Sequence, residues 1–99
     1  MSETCPCRRT KRREPAELKS LQNRLKRVEG QVRGIQKMLA ADVYCTDVLT
    51  QVAAAQAALN AFSRELLDSH IQTCVVTDVR AGNDEVVTDL VNTIHKLLK

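Results

Sequence analysis

The chain has 99 residues, with three Gly, two Pro and only Tyr44 and Phe62 as aromatics. That length bounds one small domain near the lower limit of a self-sufficient core, and the composition excludes a sandwich or barrel in favour of packed helices. Net charge is +3, but residues 1–37 carry eleven Lys/Arg against four Glu and residues 38–99 carry four against eight Asp/Glu, which points to a polyanionic partner.

Residues 1–14 (MSETCPCRRTKRRE) read as a disordered basic tail ahead of a single helical domain over 15–99. The tail holds Cys5-Pro6-Cys7 and then Arg8, Arg9, Lys11, Arg12 and Arg13. Cys5 and Cys7 read as unpaired thiols or an accessory metal contact. Pro15 suits the first position of a helix, where its missing N–H is not needed. Leu18, Leu21, Leu25, Val28, Val32, Ile35 and Leu39 then alternate at spacings of three and four, an a/d seam. Lys19, Arg24, Lys26, Arg27, Arg33 and Lys37 occupy the other faces. Gly30 and Gly34 each cost about 1 kcal/mol in a helix, so close approach of another backbone is the expected compensation.

Asp42 is expected to cap a second helix, with Tyr44 and Cys45 in its first turn. Cys45, Val52, Leu59 and Leu66 recur every seven residues, broadened by Leu49, Ala53, Phe62 and Leu67. The small residues between Ala53 and Ala58 permit tight helix contacts. The pattern runs on through His70, Ile71 and Cys74, a helix of about thirty residues or more, too long for a compact monomer of this size. Gly82-Asn83-Asp84 breaks the chain. Asn83 or Asp84 then caps a third helix whose apolar face is Val87, Leu90, Val91, Ile94, Leu97 and Leu98. No strand, repeat or apolar membrane-spanning run is expected, and without a leader-like h-region the chain is expected in the cytosol. Thiols stay reduced there, so the four cysteines suggest metal or redox chemistry rather than structural disulfides.

Cys45, His70 and Cys74 are the candidate metal ligands. His70 and Cys74 lie four apart on one helical face. Cys45 lies twenty-five residues before His70, roughly 37 Å along an unbroken helix. One chain therefore cannot bring the three to one ion, whereas an antiparallel second copy can, with two equivalent sites shared between subunits. Two thiolates and an imidazole suit trigonal Cu(I) first; structural Zn, which wants a fourth ligand, ranks second. Tyr44, Glu85 and Asp89 are candidates to orient the ligands from outside the coordination sphere. His95 reads as a solvent-facing residue near a helix C-terminus.

Asn23-Arg24-Leu25-Lys26-Arg27-Val28-Glu29-Gly30-Gln31-Val32-Arg33-Gly34-Ile35 resembles the first-helix signature of the copper-sensing CsoR-type repressors of the CsoR/RcnR family. Asp42-x-Tyr44-Cys45-x-Asp47-Val48-Leu49-Thr50-Gln51 and Leu66-Leu67-Asp68-x-His70-x-x-x-Cys74-Val75 resemble its second-helix signatures. The resemblance covers about residues 18–98. It implies an all-α, three-helix protomer that forms an antiparallel four-helix-bundle dimer and then a dimer of dimers. It also implies a non-enzymatic repressor that holds operator DNA without metal and releases it when Cu(I) joins Cys45 of one subunit to His70 and Cys74 of the other, so that copper-efflux genes are expressed. Nickel and cobalt sensors of the family use extra N-terminal nitrogen ligands, and this chain has no His before position 70. Copper sensors carry a Glu on the third helix where this chain has Asp89-Leu90.

The expected DNA contacts are Arg8, Arg9, Lys11, Arg12, Arg13, Arg24, Lys26, Arg27, Arg33 and Lys37, directed at duplex phosphates. The expected partners are double-stranded operator DNA, further copies of the chain as homodimer or homotetramer, and a copper chaperone as metal donor, with no membrane. Two rival readings stand beside this one. The first is a thiol or persulfide sensor with a Cys45–Cys74 intersubunit bridge, for which His70 would be dispensable. The second is a helical DNA-packaging protein indifferent to metal.

Overall fold

The structure, a computed structural model, describes residues 13–98, so the expected tail lies outside the described residues except for Arg13 and Glu14. Those residues contain helices and turns and no strand. Four α-helical stretches follow in order: α1 (Pro15–Ala40), α2 (Cys45–His70), α3 (Val76–Arg80) and α4 (Glu85–Leu97). A π-helical segment, Ile71–Val75, joins α2 to α3 without a break, so the path is that of three helices. Among the described residues no helix is long and apolar enough to cross a membrane. The described chain divides into two compact units, Arg13–Leu66 and 67–98.

In the first unit, α1 and most of α2 form an antiparallel hairpin. Pro15 opens α1 as its residue type predicts, and the Leu18 N–H donates to the Glu14 carbonyl at 2.9 Å. The helix ends with Asp42 in the left-handed region (φ 56°). There the Asp42 N–H donates to Leu39 O at 3.2 Å and the Val43 N–H to Met38 O at 3.0 Å, the two bonds of a Schellman turn. Asp42 thus terminates α1 instead of capping α2. Capping would need an extended Asp42 just ahead of the helix, but the carbonyl that accepts the first N–H groups of α2, from Asp47 and Val48, belongs to Tyr44.

The apolar seam of α1 divides into two rows. Leu21 is buried and Val28 and Ile35 are half-buried, whereas Leu18, Leu25, Val32 and Leu39 are exposed. In α2, Val48 is buried and Val52, Ala55, Phe62 and Leu66 are half-buried, while Cys45, Leu49 and Leu59 face outward. One helix partner covers only one row of a stripe this broad. The close approach expected at Gly30 and Gly34 is absent among the described residues of the protomer, where a Cβ built at either meets nothing within 4 Å.

In the second unit, the π segment and α3 lead into another Schellman turn. Gly82 takes the left-handed position (φ 89°), its N–H donates to Val79 O at 3.0 Å, and the Asn83 N–H donates to Asp78 O at 2.8 Å. Asp84 holds the N-cap position of α4 but makes no side-chain capping bond. Cys74, Val75, Asp78 and Val86 are buried. The inward row of α4 is Val86, Leu90 and Ile94; Val87, Val91, Leu97 and Leu98, expected on the core face, are exposed. The apolar face of α4 is therefore also wider than one protomer covers, and the side chain enclosed most fully is the one at its first turn.

Candidate functional site

Cys45 opens α2, and its side chain is exposed with a free thiol. His70 closes the same helix and is half-buried. Cys74 lies in the π segment at 5% exposure, with the Thr73 hydroxyl oxygen 3.6 Å from its sulfur. The π winding begins directly after His70: the N–H of Val76 reaches back to the carbonyl of Ile71, five residues earlier. This wider turn keeps residues four apart on one side of the helix, so His70 and Cys74 still share a face. π segments inside α-helices concentrate at functional sites because they re-aim side chains at a small cost in backbone geometry. The sequence carried no sign of this one; Thr73, whose hydroxyl donates to the carbonyl of Ser69 at 2.7 Å, is the local feature that accompanies it.

Among the described residues, no group of three or more His, Cys, Asp or Glu side chains stands close enough to hold a metal ion. The protomer thus does not gather the expected ligand set, in keeping with the length of α2 that separates Cys45 from His70. Cys74 is disulfide-bonded in this structure, so the donor types fit a soft monovalent ion once the chain is reduced: two sulfurs and one imidazole, with one sulfur presented at the surface. Tyr44 is 72% exposed at the turn before Cys45, and Glu85 and Asp89 are exposed on α4. His95 is exposed in the last turn of α4, as expected.

The basic residues divide more sharply. Arg8, Arg9, Lys11 and Arg12 lie outside the described residues, and Arg13 is half-buried just before α1. Lys26, Arg27 and Lys37 are exposed along α1. Arg33 is paired with Glu29 one turn earlier at 3.4 Å, a solvent-exposed pair of small energetic value. Arg24 is engaged differently. Its Nε–H donates to Glu65 Oε1 at 2.5 Å, and the Ser20 hydroxyl donates to the same oxygen at 3.1 Å. The hydrogen bond from Arg24, and after it that from Ser20, holds the Glu65 carboxyl below the ordinary carboxylate range. Beside this pair lies a cavity of about 560 Å³ lined by Lys19, Ser20, Asn23, Arg24 and Arg27, with Ala16 and Ala58 as its apolar wall. Lys19, Ser20, Asn23 and Glu65 were not among the expected functional residues. Positions 16, 19, 20, 23, 24 and 27 follow the helical repeat, so the shared face was readable from spacing alone. The position of Glu65 was not.

The model of the metal-sensitive transcriptional repressor family matches residues 17–96. Over 78 residues the chain is 44% identical to the copper-sensing transcriptional repressor CsoR of Bacillus subtilis (strain 168), covering 78% of this chain and 77% of that protein. Over 59 residues it is 52% identical to the copper-sensing transcriptional repressor RicR of Mycobacterium tuberculosis (strain ATCC 25618 / H37Rv), 60% of this chain and 62% of that one. The crystal structure of the copper-sensing repressor CsoR with Cu(I) from Geobacillus thermodenitrificans NG80-2 superposes with a TM-score of 0.84 at 40% identity, covering 91% of this chain and 95% of that chain. The nickel-responsive transcriptional regulator InrS superposes with a TM-score of 0.70 at 30% identity, covering 89% and 97%.

Proposed function

The chain belongs to the family of metal-sensitive transcriptional repressors, and from that premise we propose that it is a Cu(I)-responsive repressor, holding operator DNA without metal and releasing it on copper binding. The observation that carries the proposal is the split ligand set: an exposed thiol at the start of α2, and an imidazole and a buried sulfur on one face at its far end. An antiparallel second copy places the Cys45 of one subunit beside the His70 and Cys74 of the other. The outward rows on α1, α2 and α4 supply the apolar surface for such a dimer, and α4 for its further assembly into a tetramer. Three of the four similar proteins are named as copper-sensing repressors and one as a nickel-responsive regulator, and the higher identities of the copper-sensing ones support the choice of metal.

Cys45, His70 and Cys74 would hold the ion, with Tyr44 and Asp89 or Glu85 orienting the ligands. When bound, Cu(I) supplies a soft positive centre that binds thiolate sulfur. The chain's own part is to release the thiol protons, to keep the His70 ring oriented and to commit two subunits to one geometry. Arg24, Lys26, Arg27, Arg33 and Lys37, with the basic residues ahead of α1, would hold duplex phosphates in the metal-free protein, in the cytoplasm. By linkage, DNA must weaken copper binding by the factor by which copper weakens DNA binding. A chaperone donor would have to reach Cys45, the accessible ligand. Anaerobic Cu(I) titration with a colorimetric competitor, read beside DNA anisotropy, tests the proposal. One Cu(I) per protomer that is lost in Cys45→Ala, with DNA released on loading, is the expected result. Unchanged copper affinity in Cys45→Ala would overturn the site, and DNA binding indifferent to copper would overturn the function.

A further inference from the structure

We propose that the cavity on the α1–α2 hairpin is a seat for one backbone phosphate of duplex DNA, and that the Glu65 carboxylate is a built-in competitor for it. The inference rests on the DNA-binding reading above and adds to it a specific site, three further lining residues and a residue that opposes binding. Among the described residues the cavity lining offers three cations, Lys19, Arg24 and Arg27, and two neutral donors, Ser20 and Asn23, with no carboxylate among them. All five come from one face of α1, at positions one turn or two apart, so the donors converge without any change of backbone. A guanidinium beside a hydroxyl is a pairing that suits a phosphodiester oxygen, because charge-assisted bonds to Arg are strong and directional.

The Glu65 carboxylate already uses two of those donors. One of its oxygens accepts from both Arg24 Nε–H and the Ser20 hydroxyl, the arrangement that a phosphate oxygen would adopt there. Both side chains of the ion pair keep contact with solvent, Arg24 at 45% and Glu65 at 26% exposure, so exchange of one anion for the other requires no unfolding. A phosphate entering the seat must displace the carboxylate and then lie near its negative charge. Arg24 is therefore neutralised before DNA arrives, and binding there releases fewer counterions than a free arginine would.

Titrations of metal-free protein with a short mixed-sequence DNA duplex, by fluorescence anisotropy over a range of salt, test this. Glu65→Gln is expected to bind about three- to tenfold more tightly than wild type, with a salt dependence steeper by about one unit of log K per log salt, the signature of one additional phosphate contact. Ser20→Ala and Arg24→Gln should weaken binding, and in Arg24→Gln/Glu65→Gln most of the gain should vanish. The side-chain Nε–Hε signal of Arg24 in nitrogen-15 NMR should move on DNA addition. If Glu65→Gln binds with wild-type affinity and slope while Lys26→Gln and Lys37→Gln lose affinity, the seat is refuted and the repressor reading stands. If the metal-free protein binds no duplex at any salt concentration, the repressor reading fails and the seat with it.

Discussion

Two turns reverse the chain, each closing a helix with the same pair of backbone hydrogen bonds, but they place different residues in the left-handed position. The hairpin uses Asp42 at φ 56°, and the distal unit uses Gly82 at φ 89°. The turn is thus a requirement of the backbone, and the side chain sets only its cost: none for Gly, and some strain for Asp, whose short polar side chain tolerates the region better than most. The units also differ in what they enclose. The hairpin leaves Cys45 and the basic face of α1 open, whereas the distal unit buries Cys74 with Val75, Asp78 and Val86. In the proposed sensor, one half of the ligand set is accessible and the other is held in a small core.

The contrast can be broken experimentally. The largest effect expected is for Val86→Ala, at 1% exposure the most enclosed apolar side chain, which should lower stability by about 2 kcal/mol in denaturant unfolding. A loss within the noise would mean that the distal core contributes little. In reduced, metal-free protein, iodoacetamide should modify Cys45 about tenfold faster than Cys74, because the buried sulfur reacts only after local opening; peptide mass spectrometry reads both rates, and equal rates would erase the difference between the two ends. The turns provide a third test. Gly82→Ala should cost about 1–2 kcal/mol of backbone strain alone, since a Cβ there meets nothing within 4 Å, while Asp42→Gly should raise stability by up to about 1 kcal/mol. Thermal melts of the pair check the opposite signs.

The smallest effect concerns pH. Hydrogen bonds from Arg24 and Ser20 depress the folded-state pKa of Glu65, so its contribution to stability is complete above the unfolded carboxylate pKa of about 4.3 and disappears as pH falls through the lower, folded value. Comparing the melting temperatures of wild type and Glu65→Gln between neutral and acidic pH should show the two curves converging below the carboxylate range. A gap that persists in acid would remove the ion pair as its cause.

Much of this was legible before any coordinates. Pro15 marks the start of α1, Gly82 marks the break before α4, and the spacing from Cys45 to His70 places those two residues at opposite ends of α2. The misreadings share a cause. Asp is a good N-cap, which points Asp42 to α2, but the left-handed position of the preceding turn claims it first. The spacing points Val87 and Val91 inward with Leu90 and Ile94 and gives Val86 no part, because a stripe broad enough for two neighbours does not reveal which row meets its own chain. The π winding at Ile71–Val75 has no composition signature, since it depends on how the helix is held and not on local propensity.

By itself the sequence determined the helical class, the helix ends set by Pro and Gly and the concentration of basic charge on α1, because these depend on residue type and on spacing along one element. Only the tertiary structure decided which apolar row faces inward, which cysteine sulfur is covered and that Glu65 reaches Arg24 and Ser20 across the hairpin. Those outcomes depend on how two helices are rotated against each other, a quantity that the periodicity of either helix alone leaves undetermined.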